Sequence, residues 1–70
     1  MLSSIEAERA RHRFTKKEMA EKLGVSLKTY YNWISEETDM PISVLLKISN
    51  MFGTTTDYLL EGASGIKKAV

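Results

Sequence analysis

The sequence predicts a single all-α domain of five short helices, and three observations support this fold class. Every recognisable segment has apolar residues at helical spacing, and none alternates apolar and polar residues as a half-buried strand does. Helix N-cap residues and glycines divide the chain at short intervals. A chain of 70 residues with 43% hydrophobic residues has room for one domain with a small core.

The first helix is predicted from Ser3 or Ser4 to His12, with Ser4 as its cap. Ile5 and Ala10 form its modest apolar side.

The second helix begins at a capping box. The Thr15 hydroxyl can accept a hydrogen bond from the Glu18 amide, and the Glu18 carboxylate can accept one from the Thr15 amide. Phe14 and Met19 occupy the two positions of a hydrophobic staple. Gly24 ends the helix, because glycine adopts a positive φ without a Cβ penalty.

The third helix restarts two residues after Gly24, with Ser26 as its N-cap. At about 100° per residue, its residues divide into two sides. The inner side is apolar and holds Tyr30, Trp33 and Ile34. The outer side holds Lys28, Tyr31, Asn32 and Ser35, with Leu27 on the border.

The fourth and fifth helices follow the longest connection, "SEETDMP". The segment "PISVLLKISNMF" has Pro41 in its first turn and ends at Gly53. It presents a broad apolar face of Ile42, Leu45, Leu46, Ile48 and Phe52. The segment "TTTDYLLEG" forms the fifth helix, with Thr55 as cap and Asp57 in the first turn. The domain is expected to span residues 1–62, followed by a flexible C-terminal tail at 63–70.

Composition and charge limit the classes of function. Cysteine is absent, which removes disulfides and thiolate metal sites. Neither a signal peptide nor a membrane span is recognisable, so a cytoplasmic protein is expected. Residues 1–34 hold seven Lys and Arg against four Glu, a net +3, whereas residues 35–70 have a net −2. The basic half suits a polyanion, although a solvated surface is the simpler interpretation of this imbalance.

The second and third helices are joined by a short turn that contains Gly24, which is the helix-turn-helix signature. In that motif the first helix crosses the DNA backbone and the second enters the major groove. The groove is about 12 Å wide and admits one helix. The entering helix needs an apolar inner face, supplied here by Tyr30 and Trp33, and outward donors, supplied by Lys28 and Asn32.

Two stretches, "FTKKEMAEKLGVSLKTYYNWI" and "LLKISNMFGTTTDYLLEG", resemble the helix-turn-helix family of phage Cro and CI repressors, also called the XRE family. Typical members read roughly "lsqeeLAeklGvs.stis.wE.g". The match extends from Ile5 to Gly62 and includes the spacing between segments. It implies a compact, lambda-repressor-like five-helix domain that binds operator DNA and is often dimeric. No catalysis, cofactor, metal or small-molecule ligand is implied.

The resemblance also implies roles for single residues. On the third helix, Leu27, Lys28 and Asn32 match the positions with which the family usually contacts bases. Tyr31 is expected to join them, because an aromatic beside Asn32 on the same side suits contact with a thymine methyl or a sugar. Positions expected to contact phosphate are Arg9, Thr15, Lys16, Lys17 and Ser26. Lys16 stands where many members have a phosphate-contacting Gln, and the amide end of the second helix can itself attract a phosphate. A homodimer on a near-palindromic operator would use the end of the domain, with Tyr58, Leu59, Leu60 and Ile66 as candidates.

Three departures from the family pattern stand out. The family Glu after the Trp is Ile34 here, so Arg9 lacks its usual partner, and Glu36 or Glu37 is expected to substitute. The usual Gly soon after is missing, so the third helix is expected to extend or to end differently. The following loop is acidic, with Glu36, Glu37 and Asp39, and would repel a nearby duplex.

Other interpretations stay open at this point. Lys28 and Asn32 could belong to a plain solvated helix face, and Leu59 and Leu60 could simply close the core. The acidic loop favours a second function, a protein-interaction module or antirepressor-like partner on the same fold. An enzyme is the third possibility and the weakest, because paired acids, a metal cluster and a phosphate loop are all missing from the sequence. His12 has no second ligand at metal-binding spacing.

Overall fold

The computed structural model describes residues 1–61, in which five α-helices and no strands occur. The helices are α1 (Ser3–Arg11), α2 (Lys16–Leu23), α3 (Leu27–Ile34), α4 (Ile42–Phe52) and α5 (Thr56–Leu59). The predicted all-α fold class is therefore confirmed. None of these helices combines the length and the apolar character needed to cross a bilayer. The predicted tail at 63–70 lies outside the described residues.

The predicted helix signals of α2 and α3 are confirmed. The Thr15 hydroxyl accepts from the Glu18 amide at 3.0 Å, and the Glu18 carboxylate accepts from the Thr15 amide at 2.8 Å. Gly24 has a φ of 73°, the left-handed conformation that ends α2. The Ser26 hydroxyl accepts from the Thr29 amide at 3.2 Å and caps α3.

The first helix begins at Ser3, as predicted, but its cap differs from the prediction. Leu2, not Ser4, occupies the N-cap, and no side chain caps the helix. The Ser4 hydroxyl instead donates to the carbonyl of Glu61 at 3.2 Å. The Leu2 amide donates to the carbonyl of Ile34 at 3.0 Å. The first turn of α1 is thus held by the ends of α5 and α3 rather than by a local cap.

One hydrophobic core draws on all five helices. Its buried apolar residues are Leu2, Ile5, Met19, Ala20, Leu23, Tyr30, Trp33, Ile34, Leu45, Ile48, Phe52 and Leu59. The inner side predicted for α3 is confirmed, because Tyr30, Trp33 and Ile34 are all buried. Tyr30 is among the largest side chains with no solvent exposure, so α3 is anchored in the centre of the domain.

The apolar face predicted for α4 is too broad. Leu45, Ile48 and Phe52 are buried, but Ile42 is 74% exposed and Leu46 is 51% exposed. The buried arc continues through Ser49, whose hydroxyl donates to the Leu46 carbonyl at 2.8 Å. In so small a domain the other helices cover only one side of α4. Ile42 and Leu46 lie outside the covered side and are exposed to solvent.

The third helix ends at Ile34 even though the family glycine is missing. Glu36 has a φ of 66°, in the left-handed region that favours glycine, and its amide donates to the Trp33 carbonyl at 3.1 Å. Arg13, in the connection between α1 and α2, has a φ of 61°. Each non-glycine residue in this conformation costs about 1–2 kcal/mol. Glu36 therefore performs the turn that the family pattern assigns to glycine.

Candidate nucleic-acid interface

The turn between α2 and α3 consists of Gly24, Val25 and Ser26. The Gly24 amide donates to the Glu21 carbonyl and the Val25 amide to the Ala20 carbonyl, both at 3.0 Å. These bonds satisfy the last carbonyls of α2 while the chain reverses into α3. The two helices consequently pack against each other without a flexible loop.

The side of α3 that faces away from the core carries the four residues expected to contact bases. We name this surface the outer face of α3; its members are Leu27, Lys28, Tyr31 and Asn32. Lys28 and Tyr31 are exposed, Leu27 is at the margin of exposure and Asn32 is half-buried. The structure therefore brings a cation, an amide, a phenol and an apolar group together on one solvent-facing helix surface.

A partly buried carboxylate lies where α1, α2 and α3 meet. Glu6 of α1 is 11% exposed, and its Oε2 accepts from the Tyr30 hydroxyl of α3 at 2.6 Å. The same oxygen accepts from Nε of Arg9 at 2.9 Å. The Nζ of Lys16, the first residue of α2, lies 3.5 Å from the Oε1 atom of Glu6. One side chain thus contacts both helices of the helix-turn-helix pair.

The electrostatics of this cluster keep Glu6 ionised. Burial alone would raise the pKa of Glu6, but the hydrogen bonds from Arg9 and Tyr30, with the charges of Arg9 and Lys16, bring that pKa below its ordinary value. Burial and the Glu6 carboxylate both raise the pKa of Tyr30. Tyr30 therefore stays protonated and acts as the donor to an anionic Glu6.

The expected partner of Arg9 is corrected by this geometry. We expected Glu36 or Glu37 to pair with Arg9, but the guanidinium pairs with Glu6 and also donates to the carbonyl of Phe14. The Glu36 carboxylate pairs instead with the amino group of Met1. Glu6 precedes Arg9 by three residues on α1, so the two side chains are neighbours on the helix surface. This internal pairing leaves the Arg9 side chain only 16% exposed.

Three of the five residues expected to contact phosphate, Thr15, Lys16 and Lys17, lie at the amino end of α2. Lys17 is exposed, and Lys16 is partly exposed with its ammonium 5.7 Å from the centre of the Tyr31 ring. The hydroxyls of Thr15 and Ser26 cap α2 and α3. The positive end of the α2 dipole adds to the charge of the two lysines.

A shallow cavity of about 350 Å³ lies beside this cluster, between α1, α2 and α3. Its lining residues are Met1, Glu6, Lys16, Tyr31, Ile34 and Ser35. Sequence reasoning missed Glu6 and the Tyr30 hydroxyl as parts of this region. The three-residue spacing of Glu6 and Arg9 was a usable signal for their pairing. Residues 1–61 contain no group of three His, Asp or Glu side chains placed to hold a metal ion.

The dimer candidates differ in exposure. Leu59 is fully buried and closes the core, whereas Tyr58 and Leu60 are half-buried. Ile66 lies outside the described residues. Of the candidates that the structure describes, only Tyr58 and Leu60 are therefore accessible to a second copy of the chain.

The chain belongs to the helix-turn-helix family, whose family model matches residues 5–59. This match confirms the resemblance to XRE-type regulators of the Cro/CI kind, a class that is typically not enzymatic.

A curated relative is the HTH-type transcriptional regulator ImmR of Bacillus subtilis (strain 168). The two sequences are 40% identical over 47 residues, which cover 67% of this chain and 37% of the relative. The chain therefore spans little more than a third of the length of the curated relative that it matches. No solved structure gives a significant match.

Proposed function

We propose that the chain is a sequence-specific DNA-binding transcriptional regulator, a small Cro/CI-like repressor, whose α3 enters the major groove. The observation that supports this proposal most directly is the division of α3 into two sides. Tyr30, Trp33 and Ile34 are buried, while Lys28 and Tyr31 are exposed beside a tight turn. A helix that is anchored on one side and carries donors on the other is what base recognition requires.

The chemistry of the outer face of α3 suits the edges of bases. The Asn32 amide can pair with N6 and N7 of adenine, and the Lys28 ammonium can donate to O6 and N7 of guanine. Leu27 and Tyr31 can contact a thymine methyl group. These four side chains sit within about two turns of helix, which matches a site of a few base pairs.

Phosphate binding is assigned to the start of α2. Lys16 and Lys17 supply charge, and the amides of the first turn supply donors next to the Thr15 cap. Arg9 belongs to the same proposed surface by position, although its guanidinium already pairs with Glu6. Contacts on this side fix the orientation of α3 without reading sequence themselves.

A homodimer would place two copies of α3 on a near-palindromic operator, with half-sites about 34 Å apart. The half-buried Tyr58 and Leu60 are the proposed contact residues. We place this regulator in the cytoplasm, where it can reach bacterial or phage DNA.

The test is selection of bound sequences from a random duplex library, which returns both the site and its half-site spacing. Titration of the selected operator with Lys28→Ala and Asn32→Ala follows. Each substitution is expected to cost about 1–3 kcal/mol and to relax preference at one base position. Lys47→Ala is the matched control for Lys28→Ala. Lys47 is exposed on α4, so its substitution removes the same charge from a helix outside the proposed interface. If Lys28→Ala and Asn32→Ala bind the operator as tightly as the Lys47→Ala control does, α3 is not the recognition helix.

A protein-interaction module, or an antirepressor-like partner, is the second candidate. The exposed acids Glu37 and Asp39 and the exposed apolar pair Ile42 and Leu46 favour it. Failure to bind any duplex of the random library at low salt would favour this function over the first, because nonspecific phosphate contacts are strongest there.

A further inference from the structure

We infer that Glu6 is a positioning residue for DNA binding, which holds the Lys16 ammonium at the edge of the outer face of α3. The inference rests on the proposed function and adds to it a residue that makes no contact with DNA. Glu6 lies on α1, outside the helix-turn-helix pair, and its carboxylate contacts a residue of each helix of that pair.

The carboxylate is fixed on the side of α3. Its Oε2 accepts from the Tyr30 hydroxyl at 2.6 Å, and the Tyr30 side chain has no solvent exposure. Its position is fixed further by Nε of Arg9 at 2.9 Å on the same helix as Glu6. The location of the negative charge is thus set by the core and not by a flexible surface side chain.

The other oxygen faces Lys16. Oε1 lies 3.5 Å from the Lys16 Nζ, and the same ammonium stands 5.7 Å from the centre of the exposed Tyr31 ring. Two partners on two helices therefore confine a side chain that would otherwise sample many rotamers. A confined ammonium loses less conformational entropy when it binds a phosphate, so the pairing favours binding in one orientation.

The charge of Glu6 has the opposite effect. An anion near the phosphates weakens the binding of every duplex, and its removal alone would strengthen binding without regard to sequence. Positioning and simple repulsion therefore predict opposite signs for the same substitution. This difference makes the inference testable by affinity measurements.

The experiment is a double-mutant cycle of Glu6→Gln and Lys16→Ala, measured on the selected operator and on a random duplex. In the chain that keeps Lys16, Glu6→Gln is expected to weaken operator binding at least about threefold. A loss of this size is within the range of coupling found for contacting residues. In the Lys16→Ala background the same substitution should cause no further loss. Random-duplex affinity should fall less, so the specificity ratio decreases.

The matched control is Glu8→Gln. Glu8 is a second carboxylate of α1, its side chain is 6% exposed, and it pairs with the exposed Arg11 at 3.2 Å on the same helix. Its removal changes the charge by the same amount at a carboxylate whose ion pair stays within α1. It is expected to show no coupling to Lys16→Ala.

Three results would overturn the inference. Stronger binding of both duplexes in both backgrounds would make Glu6 a repelling charge only. A lower melting temperature with unchanged affinity in the folded protein would make its role structural. Additive losses would separate Glu6 from Lys16. If Glu6→Gln does not fold, Tyr30→Phe takes its place in the cycle. This substitution removes the hydroxyl that holds Glu6 but keeps the aromatic ring and the carboxylate. It should weaken operator binding only when Lys16 is present.

The failure of the proposed function looks different. A wild-type chain that binds no duplex at any salt concentration rejects DNA binding and the inference together. A wild-type chain that binds its operator with an additive cycle rejects the role of Glu6 alone.

Discussion

The phosphate contacts proposed for the start of α2 predict how strongly DNA binding depends on salt. Lys16 and Lys17 are available at the start of α2. Lys16 also pairs with Glu6, but its side chain stays 38% exposed. Arg9 is not counted, because its side chain is only 16% exposed and its guanidinium donates to both Glu6 and the Phe14 carbonyl. The proposed homodimer would therefore neutralise four phosphates with lysine side chains.

Four neutralised phosphates give a slope of about −3.6 in a plot of log affinity against log salt. Affinity for the operator should consequently fall about 150-fold between roughly 50 and 200 mM salt. Lys17→Ala removes one charge from each protomer, which lowers the slope to about −1.8 and the loss to about 12-fold. The substitution leaves the capping box intact, since Thr15 and Glu18 form it.

The assay is fluorescence anisotropy of a labelled operator at five salt concentrations, with wild type, Lys17→Ala and the α4 control Lys47→Ala. The control should reproduce the wild-type slope. An unchanged slope for Lys17→Ala would refute the assignment of Lys17 to a phosphate. A wild-type slope near −5.4, about six phosphates, would mean that Arg9 leaves Glu6 on binding.

Three further predictions concern stability. Thr15→Ala should lower the free energy of unfolding by about 1 kcal/mol in urea denaturation, because it removes the acceptor of the α2 cap. Thr15→Ser should retain most of that stability, because serine also caps helices. Equal losses of stability in the alanine and serine variants would argue against the cap. The pKa of Glu6 is lowered from 4.5 on folding, so its charge stabilises the native state above about pH 4.5 and this contribution is lost as pH falls further. Urea midpoints of Glu6→Gln should therefore depend less on pH below that value, and an unchanged profile would contradict the ionised cluster. Arg13→Gly should raise the free energy of unfolding by about 0.5–1 kcal/mol, since relief of the positive φ exceeds the entropy that glycine adds to the unfolded chain. A destabilised glycine variant would show that Arg13 is not strained.

Local signals were sufficient for most of the fold. The capping box at Thr15, the left-handed Gly24 and the Ser26 cap depend on residues within one turn of each other, and the structure has all three. The inner side of α3 follows from the helical period, because its apolar residues recur on one side. These features explain why the predicted five-helix architecture is confirmed.

Features that depend on distant residues were predicted less well. The sequence shows that Ile42 and Leu46 are apolar, but how far the other helices extend over α4 decides that both are exposed. Likewise, Ser4 has the chemistry of a cap, yet the nearby end of α5 offers it the Glu61 carbonyl.

The sequence by itself therefore determined the helices, their order, the short turn and the outward position of Lys28 and Tyr31, because each depends on spacing along the chain. Only the tertiary structure decided the partner of Arg9 and the role of the Tyr30 hydroxyl. Glu6 and Tyr30 are 24 residues apart, and their 2.6 Å hydrogen bond exists only because core packing brings α1 against α3.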